Sequence, residues 1–121
     1  MGKLVSNDVL DAALNEIATS TEMYLCTAEP SSRANADSLS VIPAHTLTGG
    51  DFTNADGDTS GRKVTVAAQN SLTADASGTA THVALCDAST LLYVTTCTSQ
   101  AVTSGNTVNI GSFDIEIADP S

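Results

Sequence analysis

Thr107-Val108-Asn109-Ile110-Gly111-Ser112-Phe113-Asp114-Ile115-Glu116-Ile117-Ala118 is the stretch on which the fold turns. Successive side chains of a strand point to opposite faces, so residues of one parity share a face. Val108 and Ile110 have one parity; Phe113, Ile115 and Ile117 have the other. A single straight strand cannot bury both sets on one side. The spacing therefore predicts a β-bulge or bend at Gly111-Ser112 that re-aims the second half.

Strand signals continue toward the N-terminus. Ala101-Val102 leads into the turn residues Ser104-Gly105-Asn106. Thr79–Asp87 places Val83 and Leu85 inward with His82 and Ala84 outward, and Asp87-Ala88-Ser89-Thr90 reads as a tight turn into Leu91–Cys97. Arg62–Gln69 alternates, with Val64, Val66 and Ala68 on one face, and 70–78 reads as a turn region. Glu22–Thr27 is a short apolar strand, and 31–40 is polar and reads as a loop. In Leu39–Leu47, Pro43 cannot donate to a ladder, which predicts a sheet edge or a break. Thr48–Gly61 is the most loop-like stretch.

Helical spacing occurs once. After Ser6, Asn7 and Asp8, all competent N-caps, Leu10, Ala13, Leu14 and Ile17 fall at i, i+3, i+4 and i+7. Asp8 and Asp11 suit the positive end of the helix dipole. A helix of this length is not stable alone, so its stripe must pack on its own domain or on a neighbouring subunit. The whole reads as one domain over 1–121: a mainly β, antiparallel β-sandwich over about 22–118, with a short N-terminal α-helix over about 7–18 attached to it as an appendage. The parts least committed to the sandwich are the N-terminal segment and the 48–61 loop. Leu10, Leu14, Ile17 and Phe52 are accordingly the expected partner contacts.

Composition narrows the function classes. The 121 residues are 41% hydrophobic but only 3% aromatic, with no tryptophan, so the core is built from Val, Ile, Leu and Ala. So few rings disfavour a sugar-binding or base-stacking platform. Four Lys and Arg against 14 Asp and Glu give a net charge of −10 and a pI near 4.1. Such a surface repels phosphate backbones and anionic lipid, which argues against nucleic acid and membrane as partners. The charge serves solubility, or meets a basic partner surface. No apolar run approaches the roughly 20 residues that span a bilayer, and no basic-then-apolar secretion signal is present. Met1-Gly2-Lys3-Leu4-Val5-Ser6 fits the loose myristoylation pattern but lacks a polybasic companion.

The candidate chemical groups each have a plainer reading. Asp51, Asn54, Asp56 and Asp58 around Gly57 look like an oxygen-rich calcium loop. The EF-hand register fails, however, placing Phe52 at the first ligand and Lys63 at the last, so turn chemistry is the better account. His45 and His82 occur in neither a nucleophile-elbow nor a zinc-protease motif. Cys26, Cys86 and Cys97 form no metal spacing and read as small buried thiols of a reducing compartment. With the turn at 87–90, Cys86 lies near Leu91 and Cys97 near Ala80, too far apart for a disulfide. No glycine pattern matches a phosphate loop. No catalytic, metal or cofactor site is expected, and the chain is not expected to be an enzyme.

Leu10–Ala18 (LDAALNEIA), Gly61–Val66 (GRKVTV), Gly78–Leu85 (GTATHVAL), Gln100–Thr107 (QAVTSGNT) and Phe113–Pro120 (FDIEIADP) together resemble a family of small proteins encoded by tailed bacteriophages. The resemblance covers most of the chain but not 31–58, and its shared motifs are scaffold pieces that carry over no functional residue. It implies a virion component assembled in the host bacterial cytoplasm, a homo-oligomeric capsid decoration (cement) protein bound to the major capsid protein. A tail, fibre or head–tail connector component and a glycan-binding adhesion module are the alternatives.

Overall fold

The computed structural model describes residues 4–119; the myristoylation-like Met1-Gly2-Lys3 and the terminal Pro120-Ser121 lie outside them. The fold is mainly β and antiparallel throughout, with a short N-terminal helix. Its elements are α1 (Asn7–Ile17), β1 (Glu22–Cys26), α2 (Arg33–Leu39), β2 (His45–Thr46), a single 3₁₀ turn (Gly49–Asp51), β3 (Phe52–Asp56), β4 (Arg62–Val66), β5 (Gln69–Thr73), β6 (Gly78–Cys86), β7 (Leu91–Val102), β8 (Thr107–Ile110) and β9 (Phe113–Ile117). The strands form a four-stranded sheet in the order β2-β1-β6-β7, a three-stranded sheet β3-β4-β9, and a ribbon β5-β8.

The parity switch at Gly111-Ser112 divides the C-terminal stretch into two strands with different partners. Val108 and Ile110 of β8 pair with β5, whereas Ile115 of β9 pairs with Val64 of β4. All three are buried in one core with Met23, Leu25, Val64, Val66, Val83 and Leu85. Two residues outside any strand thus shift the chain from one sheet to the next while keeping both apolar sets inward.

The helix begins at Asn7, with Ser6 as N-cap accepting from the Asp8 amide at 3.1 Å. It packs against β4 and β7 rather than hanging from the sandwich, so it is not an appendage. Leu14 is completely buried in the shared core and Leu10 is 5% exposed. Polar bonds hold the helix as well: Arg62 Nε donates to Asp11 at 2.8 Å, and the Asn54 amide donates to Asn15 at 3.1 Å. Ala13, which shares the helical spacing, is exposed.

Residues 31–40 are not a loop. Ser32 caps α2 by accepting from the Asn35 amide at 3.1 Å. Only Ala36 is buried on it, so the apolar periodicity is too thin to read. The helix covers the outer face of the four-stranded sheet and forms a second core of Tyr24, Cys26, Ala36, Ala84 and Cys86. Ala84, expected outward, is therefore buried because both faces of this sheet are covered. Pro43 lies in the break before β2, the edge strand.

Two further loops are strands. Phe52–Asp56 pairs residue for residue with β4 in a hairpin closed by 57–61. Gly61 there has φ +71°, and a Cβ at this position would strike the Ile117 carbonyl oxygen. β4 stops at Val66, leaving Ala68 exposed, and Gln69–Thr73 forms β5 in what reads as a turn region. Its bulge puts Ser71 at φ 62°, with the Ser71 amide donating to Asn109 at 2.8 Å. The 87–90 turn forms as expected, the Asp87 carboxylate accepting from the amides of Ser89 at 2.8 Å and Thr90 at 2.6 Å.

Candidate interaction surface

Each titratable constellation singled out in the sequence is dispersed by the fold. The acidic stretch 51–58 runs along β3 and into the hairpin turn, so its oxygens point to different partners. Asp51 accepts from the Thr48 amide at 2.8 Å and from Gln69 at 3.2 Å. Asp56 accepts from Arg62 at 2.7 Å and Asp58 from Lys63 at 2.7 Å. No cluster of three metal-ligating side chains occurs among the described residues. Thr48 and Gln69 hold the Asp51 carboxyl below its ordinary range, the Thr48 amide contributing most.

His45 belongs to a supporting network. Gln69, 8% exposed, donates its amide to the Ala67 carbonyl at 2.9 Å and to Asp51. That fixes its Oε1 as the acceptor facing His45 Nε2 at 2.8 Å, so Nε2 carries the proton in this pairing. The network joins edge strand β2 to the start of β5. His82 Nδ1 is 2.8 Å from the Thr81 hydroxyl and is half-buried on β6. The three cysteines are free; Cys86 lies at the turn end of the β6–β7 pair, opposite Leu91, and Cys97 lies midway along β7 in the bulge opposite Thr81. Burial pushes the Cys26 and Cys86 thiols up to about 11 and raises Cys97 as well. A thiol in that range is protonated at neutral pH and is a poor nucleophile.

The expected contact residues Leu10, Leu14 and Phe52 are buried within the chain itself, and Ile17 is half-buried against the same core. They seal α1 and β3 onto the sandwich, and of the four Ile17 keeps part of its side chain accessible. The large apolar side chains that are exposed among the described residues are Leu4 and Val9, at 87% and 61%. Both lie at the N-terminal end, away from the helical stripe.

Charge is distributed unevenly. Arg33 forms a two-pronged pair with Glu22 at 2.7 and 2.9 Å; Arg62 bonds Asp11 and Asp56; Lys63 bonds Asp58 at 2.7 Å and Asp114 at 3.3 Å. These ion pairs raise the basic groups further and hold Glu22 low, the Arg33 bond being the main cause. Every described cation is thus engaged by the chain's own carboxylates. Asp8, Glu16, Glu29, Asp37 and Asp75 are in no ion pair among the described residues, and the Glu116 carboxylate accepts from the Asp58 amide.

Against this acidic exterior stands a neutral flank. Residues 88–113 contain no Asp, Glu, Lys or Arg, a signal present in the sequence that strand-by-strand reading passes over. They make up β7, the 103–106 turn and β8. Where β7 faces the β8–β9 junction, the sandwich is open in a cleft of about 440 Å³. Leu25 and Val83 line it together with Thr95, Cys97, Gln100, Asn109 and the half-buried Phe113. Its polar groups are hydroxyls and amides, apart from Asp114, which Lys63 and Thr65 already engage.

No model of a known protein family matches the chain, and no curated protein or solved structure matches it either.

Proposed function

We propose that this chain is a non-catalytic structural subunit of a tailed-bacteriophage particle, a capsid decoration protein that docks on the head shell and stiffens it. The carrying observation is the polarised surface: carboxylates left uncompensated because each described cation is paired internally, beside one flank without charge. An acidic face of this kind is complementary to a basic subunit surface and speeds encounter with it. The likeness of its strand and turn segments to small phage-encoded proteins supplies the particle. The titratable groups support a non-catalytic role, since His45 and His82 pair with Gln69 and Thr81, the Cys26 and Cys86 thiols are buried and held protonated, and the carboxylates of 51–58 are bonded to separate donors. The protein is assembled in the host cytoplasm and carried on the virion, with the major capsid protein as its partner.

Copies per particle test the reading. Quantified purified virions are expected to contain hundreds of copies, and heads lacking the protein to leak or rupture earlier on heating. A handful of copies with intact heads and unjoined tails would move the protein to the tail, fibre or connector. The cleft favours one second reading: hydroxyl and amide groups around Phe113 suit a neutral saccharide, as in an adhesion module. A glycan array, with and without calcium, addresses that reading, and a blank array removes it.

A further inference from the structure

Strand β7 ends the four-stranded sheet, and among the described residues it pairs only with β6. Its other edge therefore presents unpaired backbone N–H and C=O groups, a template for another strand. Proteins guard such edges with charges, proline or bulges. β7 (LLYVTTCTSQAV) has neither charge nor proline. It does have two bulges. Leu92 is an extra residue between the pairs Cys86–Leu91 and Leu85–Tyr93, and Cys97–Ser99 loop out opposite Thr81. Between them Tyr93–Thr96 keeps unbroken register with Leu85–His82.

We propose that two copies of the chain associate edge to edge through β7, Val94 of one copy lying opposite Val94 of the other across a two-fold axis. The axis must be perpendicular to the sheet. Residues opposite one another in an antiparallel pair share a face, which sets Tyr93 against Thr95 of the second copy and Val94 against itself. An antiparallel edge is complementary to its own two-fold image, so a dimer closes the edge and growth stops there. The flanking bulges confine pairing to this short segment and disfavour slipped registers.

Charge selects a second copy as the occupant. Two bodies of net charge −10 repel at every face where carboxylates meet, and each described cation is already held by its own chain. The 88–113 flank is where a like-charged copy approaches without opposing charges. A basic partner would be drawn instead to the acidic faces. The proposal thus concerns a different surface from the one that docks on a shell, and it is measured on the isolated chain.

Sedimentation equilibrium of the full chain over a range of concentrations is expected to show monomer and dimer. Raising salt should tighten the dimer, because the contact is uncharged while the surrounding charges repel. Thr96→Asp, an exposed position, adds like charges beside the axis and is expected to weaken association at least tenfold without unfolding the monomer. In a Cys97→Ser background, Val94→Cys is expected to form an intermolecular disulfide under mild oxidation, since paired Cα atoms about 4.5–5.5 Å apart fall within disulfide reach. Val9→Cys in that background, exposed on α1, serves as the control. A chain that is monomeric at all concentrations and salts, a Thr96→Asp variant that dimerises like the parent, or a Val94→Cys variant that crosslinks no faster than Val9→Cys would each overturn the proposal.

Discussion

Replacing Leu14 by alanine tests whether α1 is part of the sandwich core. The side chain is completely buried in the core that also holds Val64 and Val66 of β4, and the helix is tied to β4 by Arg62 and Asp11. The change removes three carbon atoms, worth about 2.4 kcal/mol at ~0.8 kcal/mol per buried CH₂. A cavity between a helix and a hydrogen-bonded sheet collapses only in part, which adds about 1 kcal/mol. The better helix propensity of alanine returns only a few tenths. The expected loss is therefore about 3 kcal/mol, or roughly 12 °C in Tm at about 4 °C per kcal/mol for a domain of this size. Urea unfolding followed by circular dichroism measures it, with Val9→Ala beside it, expected within about 0.5 kcal/mol because Val9 is 61% exposed. If Leu14→Ala and Val9→Ala lose the same small amount, the helix is an appendage after all and the reasoning fails.

Other outcomes follow from the hairpin, the carboxylates and the thiols. Gly61→Ala is expected to cost more than about 2 kcal/mol, from left-handed backbone and the blocked Ile117 carbonyl. Gly105→Ala, at φ +90° but in open space, should cost only about 1 kcal/mol, so equal losses in urea would contradict the close approach at Gly61. Glu22, Asp51, Asp87 and Asp114 all have depressed folded-state pKa values, Glu22 chiefly through Arg33 and Asp87 through the Ser89 amide. The native state then binds fewer protons than the unfolded chain. This stability is complete above the unfolded carboxylate range near ~4 and is lost as pH falls through the folded values. Tm measured against pH should fall on acidification, and Glu22→Gln should flatten part of that slope; an unchanged slope would detach Glu22 from it. With Ellman's reagent at neutral pH, Cys97 should react slowly and Cys26 and Cys86 only after denaturation, and rapid labelling of all three would contradict their burial.

How far the sequence reads depends on how many side chains report each decision. The Gly111-Ser112 switch is legible because five apolar residues, Val108, Ile110, Phe113, Ile115 and Ile117, state two parities on either side of it. The β6–β7 turn is legible because Asp87 carries its own acceptor for the following amides. α2 is opaque because a single buried alanine, Ala36, anchors it, and its stability comes from the covered sheet face that residues 31–40 cannot reveal. β3 is hidden by its own polar residues: Asn54 and Asp56 spell a turn locally, and pairing with β4 makes them a strand. The contact residues fail for a related reason. Apolar residues on a short helix look available until the sheets that need them are present, whereas the neutral run 88–113 is visible only by counting what is missing.

The path of the last two strands also imposes an order in time. β4 is the central strand of its sheet, yet one of its neighbours, β9, follows all the other described strands in the chain and so leaves the ribosome after them. Until then the sheet that carries Val64 and Val66 is one strand short, and β5 lacks β8 beside it. The nascent chain can pair β1 with β6 and β3 with β4, but it closes its core only when both C-terminal strands arrive together through the Gly111-Ser112 step. Every unfinished chain is thus a half-sheet with an open, sticky edge, and a pause in translation just before that step would be where this protein is most prone to aggregate.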